Sequence, residues 1–321
     1  MKFIDLFAGM GGFRIALERN ESECVYSSEW DKYAQITYKN NFGELPEGDI
    51  TKVDISKIPD HDILCGGFPC QAFSISGKQG GFNDARGTLF FEIAKIVKKK
   101  KPKIIFLENV KNLGRHDNGK TLNTIENVLN ELGYNIFHKL LNSSHYGVPQ
   151  NRQRIFIIGL KRSYTSKEFE FPTPTCEEVF LVDVLENNVP HHFLVDRVDI
   201  TFKENKLLSE LDLFDKKKYL RPLRIGTISK GGQGERIYSP KGHSITLSAY
   251  GGGIAGKTGA YLINNKVRQL TPRECLRVQG FPEDYSFPHE ITKSQAYKMC
   301  GNSVSVPVIE KIFKKIQETI F

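Results

Sequence analysis

No apolar run in the sequence is long enough to cross a bilayer, so a membrane-spanning helix is excluded. Cysteine is scarce: Cys24, Cys65, Cys70, Cys176, Cys275 and Cys300 are too few for a disulfide framework in 321 residues. None sits in a paired C-x-x-C that reads as a zinc site, and no metal is expected. Asp5 interrupts the first apolar run, so the N-terminus does not read as a secretion signal. Internal repeats and low-complexity tracts are missing too. These absences point to a reducing cytoplasm, where a thiol stays free for chemistry.

What remains is ordinary globular composition, with 39% hydrophobic and 26% charged residues, which excludes long disorder. The net charge of +8 favours a polyanionic partner, because cationic side chains displace counterions from a phosphate backbone. The Lys98-to-Lys101 run needs no partner, since cations at a helix carboxyl end are favoured by its dipole.

Short apolar runs alternate with helical patterns over the first half, which predicts βα units and a mostly parallel sheet. Strands are expected at 2–7, 25–28, 63–66, 104–107, 135–141 and 154–160, with helices at 12–20, 31–41, 88–99 and 121–132. Glu29, Asp49, Cys70 and Glu108 each fall at or shortly after the end of a strand-like segment. Ligands in open α/β sheets bind beyond those carboxyl ends, so the four side chains converge on one rim. Beyond Phe171 the periodicity weakens, and residues 226–259 hold ten of the 28 glycines. That density marks close backbone approach or loops needing positive φ. The expected organisation is a catalytic and cofactor-binding domain at 1–182, completed by 302–321. A smaller loop-rich domain follows at 183–271, then a hinge at 272–301. Ile309, Ile312, Phe313, Ile316 and Ile320 form one apolar helical stripe that must be buried.

The first strand runs into Phe7-Ala8-Gly9-Met10-Gly11-Gly12, a turn that lets backbone approach a ligand closely. A dinucleotide fingerprint would want glycine at position 14, where Arg14 stands. A methionine-linked nucleoside has no pyrophosphate and needs only the close turn. Glu29 sits where a ribose-binding acid would. Trp30, the sole tryptophan, is either an adenine stack or a core aromatic, and Asp49 either an adenine acceptor or a turn aspartate.

Phe68-Pro69-Cys70-Gln71 follows an apolar run and two glycines, and precedes a stretch with Ser74, Ser76, Gly77, Gly80 and Gly81. A thiolate placed there after a rigid proline can act as a nucleophile. Glu108 in Glu108-Asn109-Val110 can be held protonated beside a low-dielectric pocket and donate to a ring nitrogen. Arg152 and Arg154 alternate, so on a strand they share one face. They are either a surface pair or a pair that positions a base carbonyl, the cysteine loop or a phosphate.

In this order, these motifs resemble those of the bacterial DNA cytosine-5 methyltransferases. The resemblance continues through Arg273-Glu274, Gln279-Gly280-Phe281-Pro282 and Gly301-Asn302-Ser303-Val304, and spans nearly the whole chain. It implies a Rossmann-like, S-adenosyl-L-methionine-dependent α/β sheet with a target-recognition domain at 183–271. It implies that Cys70, Glu108, Arg152 and Arg154 carry catalysis on a cytosine flipped out of double-stranded DNA. Cofactor contacts then fall on Phe7, Gly9, Gly11, Gly12, Glu29, Trp30, Asp49, Ile50, Pro69, Asn302 and Ser303. Lys230-to-Tyr238 and Thr246-to-Gly253 resemble the recognition loops of GCGC-specific members. By that likeness DNA is touched by Ser74, Ser76, Gln233, Arg236, Thr246, Tyr250, Gly251 and Gly252, with Gln233 filling the gap left by the flipped base. The family further implies a bacterial, cytoplasmic monomer in a restriction–modification system, with its endonuclease encoded separately.

Three rival readings share parts of this pattern. A nicotinamide-dependent dehydrogenase leaves Cys70, the arginine pair and the glycine-dense stretch unexplained. A non-catalytic DNA-binding protein has no use for the thiol. An RNA methyltransferase of the same family sits poorly with so long a target domain.

Overall fold

The computed structural model describes residues 1–69, 89–175, 177–203 and 220–321. The chain divides into two compact units, Met1–Leu141 with Gln153–Thr173 and Val308–Phe321, and Asn142–Arg152 with Pro174–Pro307. No described helix is long and apolar enough to cross a membrane.

The first unit carries the expected alternation: β1 (Lys2–Leu6), α1 (Gly12–Glu18), β2 (Glu23–Ser28), α2 (Lys32–Phe42), β3 (Ile63–Gly67), α3 (Leu89–Lys100), β4 (Ile104–Val110), α4 (Lys120–Glu131), β5 (Tyr134–Asn142) and β6 (Gln153–Lys161). They form one sheet in the order β2-β1-β3-β4-β6-β5. The pairs β1–β2, β1–β3 and β3–β4 are parallel. A parallel sheet of this kind must be covered on both faces. Ile4, Leu6, Leu64, Ile105 and Leu107 pack with Phe90, Ile93 and Val97 of α3 and Ile125 and Leu129 of α4. Because side chains alternate along a strand, Phe106 points the other way and meets Phe13 of α1 edge-on, ring centres 5.1 Å apart.

One strand departs from the parallel expectation. β6 runs antiparallel to β4, pairing Glu108 with Phe156 and Val110 with Arg154. β4 also extends past its expected end at Leu107, so Glu108 lies within the ladder rather than beyond it. Antiparallel pairing supplies ladder partners that a parallel neighbour ending at Gly67 does not.

The second unit holds β7 (Ile200–Phe202), β8 (Leu223–Ile228), β9 (Arg236–Ser239), β10 (Ala260–Ile263) and β11 (Lys266–Gln269), a sheet ordered β11-β10-β9-β8-β7. Val195, Ile225, Ile228, Ile237, Ala260 and Val267 pack into one buried cluster around it. Residues 272–301, expected as a hinge, contain α5 (Pro272–Gln279) and most of α6 (Lys293–Asn302). Each opens on a capping box, Thr271 with Glu274 and Thr292 with Gln295, which satisfies orphan N–H donors at both starts. Glu274 is fully buried and binds Arg268 at 2.6 Å while accepting the N–H groups of Thr271 and Glu186.

The final helix, α7 (Val306–Ile320), completes the first unit from Val308 onward. Ile309, Ile312, Phe313 and Ile316 are fully buried, as the stripe requires. Each such side chain contributes roughly 1.5–3 kcal/mol by leaving water. Gln317 donates to the Asn20 carbonyl at 3.3 Å, and Glu310 lies 3.7 Å from Arg19.

Candidate active site

The ladder registers bring the ends of β1 and β3 level with an inner residue of β4 in the first unit. Leu6 pairs with Gly66, and Gly66 with Leu107, so Phe7, Gly67 and Glu108 stand side by side at the carboxyl rim. An isolated bridge between Ser28 and Glu47, with Ser28 donating to the Gly48 carbonyl at 3.1 Å, brings Asp49 to the end of β2.

The glycine turn is shaped by left-handed backbone at Phe7, Gly9 and Gly11 (φ 56°, 54° and 76°). At Gly11 a side chain is excluded twice, because an added Cβ would also lie 2.4 Å from the Phe42 ring. Gly12 then opens α1. Glu29 is buried and accepts Gly9 N–H on Oε2 at 2.8 Å and Asp31 N–H on Oε1 at 2.7 Å. Burial raises its pKa, while the backbone donors of Asp31 and Gly9 pull it down. A carboxylate has about four lone-pair sites, so acceptor capacity remains for a diol. Trp30 is 78% exposed, which removes the core-aromatic alternative and leaves a ring face open. Asp49 caps the turn Ile50–Lys52, accepting Thr51 N–H and Oγ1 at 3.0 and 2.8 Å, and these bonds hold its pKa down. Asp49 is thus a turn cap, and Ile50 after it is buried. Close turn, acidic acceptor, open aromatic face and the lack of a phosphate cradle suit a nucleoside without pyrophosphate.

Arg14 explains the missing third glycine. Its guanidinium bonds Glu18 at 2.7 Å, Glu44 and the Tyr38 hydroxyl at 3.2 Å, and lies 4.6 Å from the Phe42 ring centre. It fastens α1 to α2 behind the turn, where a phosphate-binding fold needs bare backbone. Asp5 lies in the strand beneath the turn, 1% exposed. Burial pushes its carboxyl up to about 8, with the Arg14 guanidinium pulling down and Glu29 adding to the rise. Only its polarity inside an apolar strand could have drawn attention to it.

Farther along the rim, Glu108 is buried and lies 3.1 Å from Nε of Arg154. The apolar pocket expected around this acid contains a guanidinium, and burial lowers the Arg154 pKa while Glu108 raises it. Asn109, given no role on sequence grounds, is 1% exposed and donates to the Phe68 carbonyl at 2.8 Å. It ties the segment leading into Pro69, which is exposed, to β4. Cys70, Ser74 and Ser76 lie outside the described residues.

The second unit gathers a different set. Arg152 precedes β6, so the shared-face argument for the arginine pair does not reach it. It is 2% exposed and donates to the carbonyls of Leu247, Gly301 and Ser303 at 3.3, 3.1 and 2.5 Å. Gln150 accepts Leu247 N–H at 3.3 Å, and Thr246 donates to the Asn151 carbonyl at 2.5 Å. Asn302 is exposed and Ser303 buried. Gln233, Tyr250 and Gly252 are exposed, Arg236 and Gly251 partly so.

A family profile described as "C-5 cytosine-specific DNA methylase" matches residues 1–318, and the chain belongs to that family. It is a DNA (cytosine-5-)-methyltransferase. Among its relatives, the Type II methyltransferase M.HhaI of Haemophilus parahaemolyticus is 53% identical over all of this chain and 95% of its own. M.HpaII of Haemophilus parainfluenzae is 44% identical over 99% of this chain and 89% of its own. Of solved structures, a putative DNA modification methyltransferase of an Escherichia coli prophage covers 100% of this chain and 99% of its own, with a TM-score of 0.74 and 22% identity. Spodoptera frugiperda DNMT2 matches over 98% and 99%, with a TM-score of 0.73 and 23% identity. These last two likenesses establish the fold alone.

Proposed function

We propose that the protein methylates carbon 5 of a cytosine flipped out of double-stranded DNA, the inner cytosine of GCGC. The observation that carries this reading is the buried Glu108–Arg154 pair, 3.1 Å apart on the rim where Phe68 and Pro69 lead to Cys70. Carbon 5 of an intact pyrimidine is a poor nucleophile. Addition of the Cys70 thiolate to carbon 6, with Glu108 holding a proton at ring nitrogen 3, makes carbon 5 an enamine terminus. Arg154 positions that carboxyl, and Arg152 fixes the backbone at Leu247, Gly301 and Ser303. Carbon 6 is inaccessible in a stacked duplex, so the base must leave the helix. Loss of the carbon 5 proton and cleavage of the carbon–sulfur bond restore the thiolate, and the nitrogen 3 proton returns to Glu108.

S-Adenosyl-L-methionine supplies the methyl group and leaves as S-adenosyl-L-homocysteine. It would be held by Phe7, Gly9, Gly11, Gly12, Glu29, Trp30, Asp49, Ile50 and Pro69, with Asn302 and Ser303. Glu29 offers acceptors for ribose hydroxyls and Trp30 an open ring for adenine. Residues 183–271 read the target, 1–182 with 302–321 perform the transfer, and 272–301 serve as a hinge. Ser74, Ser76, Gln233, Arg236, Thr246, Tyr250, Gly251 and Gly252 contact DNA. Arg236 has the fork geometry that suits guanine in the major groove. The setting is a restriction–modification system of the bacterial cytoplasm, with a monomeric enzyme and a separately encoded endonuclease.

Bisulfite sequencing of plasmid DNA exposed to the enzyme and S-adenosyl-L-methionine should show protection at the inner cytosine of GCGC. Cys70→Ala should lower turnover by roughly four orders of magnitude or more while retaining duplex binding. A 5-fluorocytosine duplex that never traps wild-type protein covalently would overturn the mechanism.

A further inference from the structure

We propose that the two segments assigned to target reading are locked into one body by glycine-on-glycine packing, with Gly234 and Gly256 as specificity-positioning residues. The inference rests on the reading of those segments as target-recognising.

The contact is steric. A Cβ added at Gly234 would lie 1.9 Å from the Gly252 carbonyl oxygen and 3.0 Å from Gly256 Cα. At Gly256 it would lie 1.9 Å from the same oxygen, and at Gly251 it would lie 1.8 Å from the Gly256 oxygen. None of these three has the left-handed φ that itself calls for glycine. Only space demands glycine. The obstructing atoms are main chain, which cannot turn aside as a side-chain tip can.

Hydrogen bonds close the same contact. Ala255 N–H donates to the Gly234 carbonyl and Ser248 N–H to the Lys257 carbonyl, both at 2.9 Å. Ala255 is 1% exposed and packs into the core of the second unit, which seats the turn. Gln233 and Tyr250, the latter 80% exposed, flank the lock. Readout of a base edge needs donors and acceptors held to a few tenths of an ångström, and loops ordered beforehand lose less entropy on binding. The lock lets the turn leading into β9 and the irregular segment after it in sequence hold their readers in a fixed relation.

The test uses full-length wild-type protein, Gly256→Ala and Gly234→Ala. Hydrogen exchange is followed at Ala255 and Ser248, and kcat/KM is compared between a GCGC duplex and singly mismatched duplexes. In both variants these amides should exchange faster. Discrimination should fall about tenfold, the scale of one good base contact, while S-adenosyl-L-methionine affinity stays within about twofold. Unchanged exchange and discrimination would overturn the assignment, as would loss of the cooperative fold together with cofactor binding. If wild-type protein does not methylate GCGC, the functional reading fails, and the exchange rates alone decide whether the lock exists.

Discussion

The two units solve the problem of buried polarity in opposite ways. In the first, regular strands satisfy their own backbone, and the interior can bury acids such as Asp5, Glu29 and Glu108 close to the rim. In the second, much of the backbone is irregular, and buried side chains satisfy it: Arg152 and Gln150 bond main-chain groups, and Arg268 and Glu274 pair beside them. A regular sheet can spare its polar groups for chemistry. An irregular unit needs them to hold its shape.

The contrast is tested most strongly at Glu274. Glu274→Ala leaves Arg268 buried without its carboxylate and should cost about 3–5 kcal/mol in urea unfolding. The apolar pair Arg268→Met with Glu274→Leu should recover the part of that loss due to the stranded guanidinium, but not the part due to the Thr271 and Glu186 N–H groups. Equal destabilisation by both would mean the pair is more than a means of satisfying buried groups. In the first unit, Gly11→Ala should cost less, about 1–3 kcal/mol, through its φ of 76° and the crowding of Phe42. Its distinctive effect is a raised KM for the cofactor with duplex affinity unchanged.

Two further effects separate the units by pH. Folded Asp5 keeps its proton up to about pH 8, whereas in the unfolded chain it ionises near 3.8. Its contribution to stability is complete below that window and lost as pH rises through it. His243, 1% exposed and stacked on Phe180, behaves inversely. Burial, aided by His145, holds its pKa down at about 4 against 6.5. Its contribution is complete above 6.5 and lost as pH falls toward 4. Melting curves should show Asp5→Asn gaining on wild type as pH approaches 8, and His243→Leu gaining as pH falls below 6. Parallel pH profiles for both variants and wild type would remove this distinction.

Much of the first unit was legible because its apolar periods are regular, with β2 followed by Glu29 and β3 ending on Gly67. The glycine turn, Glu29 and the Glu108 motif all follow from that pattern. The reversal of β6 was not legible, since alternation along one strand is the same in either direction. Arg152 and Arg154 look alike in sequence, yet the strand begins between them. The helices at Pro272–Gln279 and Lys293–Asn302 were missed although Thr271-x-x-Glu274 and Thr292-x-x-Gln295 announce both starts. The glycine lock shows in sequence only as composition, because its contacts join positions with no shared period.

The reversed strand has one more consequence. Were β6 parallel to its neighbours, its first residues would sit at the amino edge of the sheet beside Ile104, about 13 Å from Glu108 at the usual rise per residue. Running the other way, it delivers Arg154 beside that acid as the strand begins. A basic group thus reaches the carboxyl rim of the sheet from a segment whose start needs no βα loop.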